Sequence, residues 1–448
     1  MKLEKKSIEI LKEALEKLEE GFDLPGTGNS YDYDSIRAAI MKTAEKMQDN
    51  YPYFHPLYAG QMLKPPHPVA RIAYMLAMWI NPNNHALDGG RASSALEKEA
   101  VRDIARMFEW EDHLGHLAGG GTMANLEALW ISGKINPKKY IVASDQAHYT
   151  HERISEVLKL KFLKVKTDLL GRIDIGHLEE ILNEYSVGTV VATMGTTGTG
   201  AVDPLAELLE LQGEYCFRIH ADAAYGGYFR LIENLSEENI KNFELLRYAD
   251  SIVIDPHKHG LQPYGCGCVI FRDPSVAKHY LHDSPYTYYS SDDIHLGEIS
   301  LECSRPGAAA AGLWATHQML PPVAGGEFAA DLEKSRRSAL NLYEKLRNDA
   351  RFLTFFEPEL DIVLFAPKGN STEEISSSSK EYFKKAEDNR LYLSLFKYPA
   401  KKVSELWPEV KINSEYVSCL RTCLMKPEHL DWLDRLWERI IEVEGMIK

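Results

Sequence analysis

The 448-residue chain carries 51 Lys and Arg against 66 Asp and Glu, a formal net charge of −15, with 44% hydrophobic and 26% charged residues. That balance is ordinary for a soluble globular protein, and the length exceeds one small core. The acidity argues against a nucleic-acid scaffold, which needs a basic surface for phosphates.

The opening MKLEKKSIEILKEALEKLEEG repeats Ile8, Leu11, Leu15 and Leu18 at helical spacing and stops at Gly21. It reads as a charged helix, not a secretory leader. The apolar run VARIAYMLAMWI at 69–80 is too short for a bilayer and contains Arg71, so no membrane segment is expected. Short apolar runs then alternate with helical stretches: YIVASD, KFLKVK, TVVATM, CFRIHAD, SIVID and CGCVIF, with PLAELLELQ among the helices. Alternation of this kind predicts an α/β fold with a mostly parallel, doubly wound sheet. The last two runs are joined too closely for a crossover helix, so one antiparallel strand is expected.

LPPVAGGE at 320–327 reads as a break before a long helix. The expected organisation is an N-terminal helical arm over 1–90, a large domain over 91–327 and a smaller C-terminal α+β domain over 328–448. Within the last, KGNSTEEISSSSK at 368–380 is polar and Ser-rich and reads as an exposed loop. Six scattered cysteines form no paired CxxC spacing, which points to a reducing cytoplasm and no metal centre.

In open α/β sheets ligands sit beyond the carboxyl ends of the strands. Here those ends carry His148, the GTTGTG run, Asp222 and the segment DPHKHG at 255–260. LAGGGTMANLEALW at 117–130 is a Gly-rich turn opening into a helix, with free N–H groups suited to phosphate and Thr122 placed to cap it. Lys258 lies between His257 and His259; neighbouring cationic groups would lower its pKa and make its amine a nucleophile. An aspartate beside a pyridine nitrogen keeps that ring electron-poor. The ligand that uses all of these groups is pyridoxal 5′-phosphate.

Six motifs in order, GGGTMANLEAL, SDQAHYT, GTTGTGAVDP, HADAAYGG, DPHKHG and CSRPG, make the chain resemble the group II pyridoxal-phosphate-dependent amino acid decarboxylases, which include glutamate, tyrosine and aromatic L-amino acid decarboxylases. The resemblance implies a fold-type-I homodimer with active sites at the subunit interface and a small-molecule amino acid substrate. It implies that Lys258 is the Schiff-base lysine, Asp222 the partner of the pyridine nitrogen, His148 the stacking histidine and Ala224 the contact on the opposite face. Gly121, Thr122 and His257 would hold the phosphate, and Thr197 (or Thr196) a polar atom of cofactor or substrate. Ser304 would reach the neighbouring subunit's phosphate and Arg305 a substrate carboxylate, with His55 and Gln61 lining the substrate side. In SPYTYYSSDD, Tyr286 is preferred over Tyr288 and Tyr289 as proton donor to the α-carbon.

Each residue also has a plainer reading. Arg305 suits a simple ion pair, His148 a buried hydrogen-bonded histidine, the loop tyrosines interface packing, and His55 and Gln61 structural positions. At the level of function, another pyridoxal-phosphate reaction or a catalytically silent scaffold competes with decarboxylation, and the substrate is left open.

Overall fold

The computed structural model describes residues 4–22, 24–26, 28, 30–281 and 295–447. Helices α1 (Lys5–Glu19), α2 (Tyr33–Met47) and α3 (Pro68–Met78) lead into the long α4 (Leu87–Met107). The apolar residues of α1 and α2 are not buried in this chain.

Next come β1 (Leu114–Ala118), α5 (Gly121–Ile135), β2 (Tyr140–Ser144), α6 (Thr150–Val157), β3 (Lys161–Val165), α7 (Ile175–Glu184), β4 (Val187–Thr193), α8 (Leu205–Tyr215) and β5 (Arg218–Asp222). After α9 (Glu237–Glu244), β6 (Ser251–Ile254) and β7 (Gly267–Phe271) complete a seven-stranded sheet in the order β1-β7-β6-β5-β4-β2-β3. β2 pairs in parallel with β3 and β4, and β5 pairs in parallel with β4 and β6, whereas β7 is antiparallel to both β6 and β1. All six strands read from the sequence are present, and the expected reversal falls at β7. β1, written LGHLA, is an addition; its glycine and histidine interrupt the apolar run. β4, β6 and β7 are buried at every position, as strands covered by helices on both faces must be.

Helices α10 (Gly307–Met319) and α11 (Glu327–Arg347) lead to a four-stranded antiparallel sheet, β10-β11-β9-β8. Its strands are β8 (Phe352–Thr354), β9 (Ile362–Pro367), β10 (Ser394–Pro399) and β11 (Tyr416–Cys423). The remaining helices are α12 (Thr372–Asp388), α13 (Ala400–Leu406), α14 (Glu428–Asp431) and α15 (Leu433–Glu444).

The expected loop at 368–380 is corrected by α12. Ser371 caps this helix by accepting from the Glu374 N–H at 3.3 Å, and Glu373 and Glu374 suit its positive end. Its inward stripe is Ile375, Ser379, Tyr382 and Ala386, and two of these four are too small or polar to register as an apolar pattern.

Candidate active site

The strands β1, β2, β4, β5 and β6 end on one edge of the large sheet, and the loops leaving them enclose a cavity of about 280 Å³. Gly119–Met123, His148, Thr197, Asp222, Ala224, Tyr225, Asp255, His257 and Lys258 line it. Residues spread over more than 130 positions of sequence thus share one wall.

Asp222 closes β5 and is buried. Its Oδ2 accepts from His151 Nε2 at 2.8 Å and from Asn125 Nδ2 at 3.3 Å, while Oδ1 accepts from the Ala224 N–H at 3.2 Å. Burial alone would raise this carboxyl. The hydrogen bond and charge of His151, with Lys258 nearby, instead hold it well below the usual carboxylate range. Asp222 is therefore an anion at neutral pH, as a partner for a protonated pyridine nitrogen must be.

Lys258 stands on the loop between β6 and β7 with Nζ 2.9 Å from Asp255 Oδ2. The repulsion expected from His257-Lys258-His259 does not arise. Burial keeps His257 below its ordinary value, and its ring lies 4.6 Å from that of Tyr264. His259 faces the interior, 4.8 Å from the Tyr225 ring and 5.0 Å from that of Phe229, and burial depresses it further. Two neutral imidazoles flank one ammonium, and a carboxylate balances it.

The Gly-rich turn brings the start of α5 against this loop. Gly120 adopts φ +147°, and a Cβ on Gly121 would stand 2.7 Å from Asp255 Oδ2, so only glycine fits there. The first intrahelical N–H is that of Ala124, to Gly120 O at 3.0 Å. The N–H groups of 121–123 are left for an anion in the cavity. The cap residue is Gly120; Thr122 lies inside the first turn and makes no cap bond. Asp255 Oδ1 and His257 Nδ1 are buried without partners, polar atoms that a polar ligand would satisfy.

His148 lines the same cavity; its Nδ1 is 2.8 Å from Thr150 Oγ1, and burial lowers its pKa. Thr197 faces the cavity, whereas Thr196 is buried against Thr199, their hydroxyls 2.7 Å apart. Of the two threonines, Thr197 is the one placed for a ligand.

Four expected residues do not join this cavity. Arg305 is buried outside this lining, with Nη1 2.7 Å from Glu97 Oε1 and bonded to the Leu117 carbonyl in an internal ion pair, while its Nε and Nη2 are buried without partners. His55 accepts from the Leu57 N–H at 3.1 Å and packs on Trp432. Gln61 borders a separate cleft with Tyr51, Tyr58 and Tyr392. Ser304 is exposed and accepts from Asn83 Nδ2 at 3.1 Å. Tyr286, Tyr288 and Tyr289 lie outside the described residues.

Sequence reading missed Asn125, His151, Tyr225 and Asp255. Asn125, Tyr225 and Asp255 lie inside quoted motifs, so motif membership was their signal. His151 stands one residue beyond SDQAHYT and had none.

A sheet of this topology with a lysine, a buried ionised aspartate and an open helix start on one cavity defines a fold-type-I pyridoxal-phosphate enzyme. The model of the pyridoxal-dependent decarboxylase conserved domain matches residues 123–368, and the chain belongs to that family. It is 28% identical over 328 residues to a probable L-tyrosine/L-aspartate decarboxylase of Methanothermobacter thermautotrophicus, covering 72% of this chain and 86% of the relative. It is 26% identical over 334 residues to the L-aspartate decarboxylase of Thermococcus kodakarensis, covering 74% and 84%. Among solved structures, the glutamate decarboxylase domain of a Vibrio parahaemolyticus enzyme superposes with TM-score 0.75 at 20% identity, covering 99% of this chain and 94% of that one. Catharanthus roseus tryptophan decarboxylase with L-tryptophan also gives 0.75, at 16% identity, covering 99% and 97%. The protein is thus a pyridoxal-phosphate-dependent amino acid decarboxylase, a carbon–carbon lyase.

Proposed function

We propose that the enzyme converts one L-α-amino acid to its amine and carbon dioxide, with tyrosine and aspartate the first substrates to try. The observation that carries this reading is the convergence of Lys258 and Asp222 on one cavity whose far side is the start of α5. The printed names of the relatives favour those two substrates.

When bound, pyridoxal phosphate supplies a pyridinium ring that takes up the electron pair released as carbon dioxide leaves. Lys258 Nζ is the amine proposed to attach the cofactor, exchanging its Asp255 partner for it. Asp222, as an anion, would hold a proton on the ring nitrogen. The N–H groups of Gly121 and Thr122, with His257, would hold the phosphate. The neutral imidazole of His148 and the Ala224 side chain would pack against the ring, and Thr197 would offer a hydroxyl. Tyr286 is the proposed proton donor to the α-carbon.

We further propose a cytoplasmic homodimer with Ser304 turned to the partner's site. Exposed Ile36, Ile40, Met78 and Trp79 on and just after α2 and α3 support such a partner. Among the described residues no helix is long and apolar enough to cross a membrane. The domain boundaries 1–90, 91–327 and 328–448 fit the two sheets, whose strands lie within 114–271 and 352–423.

The test is product analysis by mass spectrometry on the enzyme loaded with pyridoxal phosphate, using pooled amino acids. One amine formed by wild type and absent with Lys258→Ala supports the proposal. An aldehyde or keto acid overturns the reaction, and an amine from neither tyrosine nor aspartate overturns the substrate choice.

A further inference from the structure

His151 is buried on the first turn of α6, at 1% exposure. One turn on, the same helix buries Ile154, so an apolar side chain would suit that face. An imidazole there carries a desolvation cost unless it is bonded. Its ring makes one hydrogen bond among the described residues, from Nε2 to Asp222 Oδ2, and its Nδ1 is buried without a partner.

The other donor to that oxygen belongs to a chain whose direction can be read off. Asp222 is an anion and only accepts, so Asn125 presents its NH₂ to it. Asn125 Oδ1 then accepts from His220 Nε2 at 2.8 Å, leaving His220 Nδ1 to accept from the Ser251 hydroxyl at 2.9 Å. Burial lowers His220 to about 3, so this chain orients Asp222 without charge. His151 and Asn125 together occupy Oδ2. Oδ1, with one contact from the Ala224 N–H, keeps a lone pair.

We propose that His151 is a positioning residue for the cofactor: its Nε2–H fixes Asp222 as a carboxylate in one orientation, and through it the proton on the cofactor's ring nitrogen. The inference rests on the reading of Asp222 as the ring-nitrogen partner. The same helical turn also orients His148 through Thr150, so residues 148–151 set two contacts of one ring.

The test uses purified His151→Phe, which has no donor, His151→Gln, whose amide restores one, and Asp222→Ala. Circular dichroism checks folding. The readouts are the affinity for pyridoxal phosphate, by absorbance titration, and the pH dependence of the bound cofactor's visible band. Around Asp222 the groups able to move that band are His151 and His148 at α6, His220 on its own strand, and Lys258 and Asp255 beyond β6, so each variant is compared with wild type. His151→Phe should weaken cofactor binding about tenfold or more and move the transition to lower pH, and His151→Gln should recover most of both. A folded His151→Phe that matches wild type while Asp222→Ala fails overturns the role of His151 alone. Asp222→Ala matching wild type overturns the underlying reading. Equal defects in the Phe and Gln variants mean packing and overturn the proposal. Should His151→Phe not fold, His151→Asn, polar but too short to reach Asp222, takes its place with the same outcomes.

Discussion

Asp222 shows how one side chain couples chemistry to stability. Its carboxyl is lower in the folded protein than in the unfolded chain: burial alone would raise it, but the hydrogen bond and charge of His151 together with the neighbouring groups outweigh burial. The stabilisation is therefore present above the ordinary aspartate value and is lost as pH falls through and below it. Replacing Asp222 by Asn should remove a component on the order of 2 kcal/mol from the acid dependence. Thermal unfolding of the cofactor-free protein between pH 7 and 3 should then fall less steeply for the variant than for wild type. Equal slopes would mean that Asp222 is not a buried anion. Arg305 is the contrasting case: its motif position pointed toward substrate, but its partner Glu97 lies 208 residues away, a pairing no local pattern displays.

At the scale of elements, the start of α5 and the loop after β6 are fitted to each other. Gly121→Ala would set a methyl 2.7 Å from Asp255 Oδ2 and push the turn away from the lysine loop. Cofactor affinity should drop by about 1–3 kcal/mol, measured by titration with pyridoxal phosphate, while the apo protein stays folded. The elements around this site were legible because buried parallel strands leave continuous apolar runs in the sequence. Helix α12 was not, because its inward face uses Ser379 and Ala386, whose character comes from what they pack on. The site was legible where motifs sit at strand ends. It was not legible for His151, whose meaning depends on a strand 71 residues further along, nor for the neutrality of His257 and His259, which is a product of burial.

Across the whole molecule, the two sheets meet behind the cavity. Tyr225, which lines it, donates to Asp361 Oδ1 at the head of β9. Lys402 Nζ donates to the carbonyls of Thr167 and Asp168, and Tyr398 to that of Leu169. Among the described residues, the side chains of α1 and α2 hydrogen-bond only within their own segment. Deleting residues 1–48 should therefore turn the proposed dimer into a monomer or an aggregate with little activity, as sedimentation velocity would report. A deletion variant that sediments and turns over like the full chain would remove the arm from the assembly.

The lysine loop, finally, is pinned along its length. His257 N–H donates to Cys266 O at 3.1 Å and Gln262 N–H to Pro256 O at 3.1 Å, while the Gln262 amide reaches Thr316 Oγ1 at 2.8 Å. Gly260 is pressed so near Pro256 that a Cβ would stand 2.6 Å from its Cα. In mechanical terms the mount is stationary, and the moving part is a single four-methylene arm. An arm of that size changes rotamer in picoseconds to nanoseconds, whereas a loop takes nanoseconds to microseconds. Lys258 can thus pass from one partner to the next without the backbone following. Amide deuterium uptake over 256–262 should accordingly be as slow as in β5, and unchanged when pyridoxal phosphate is added.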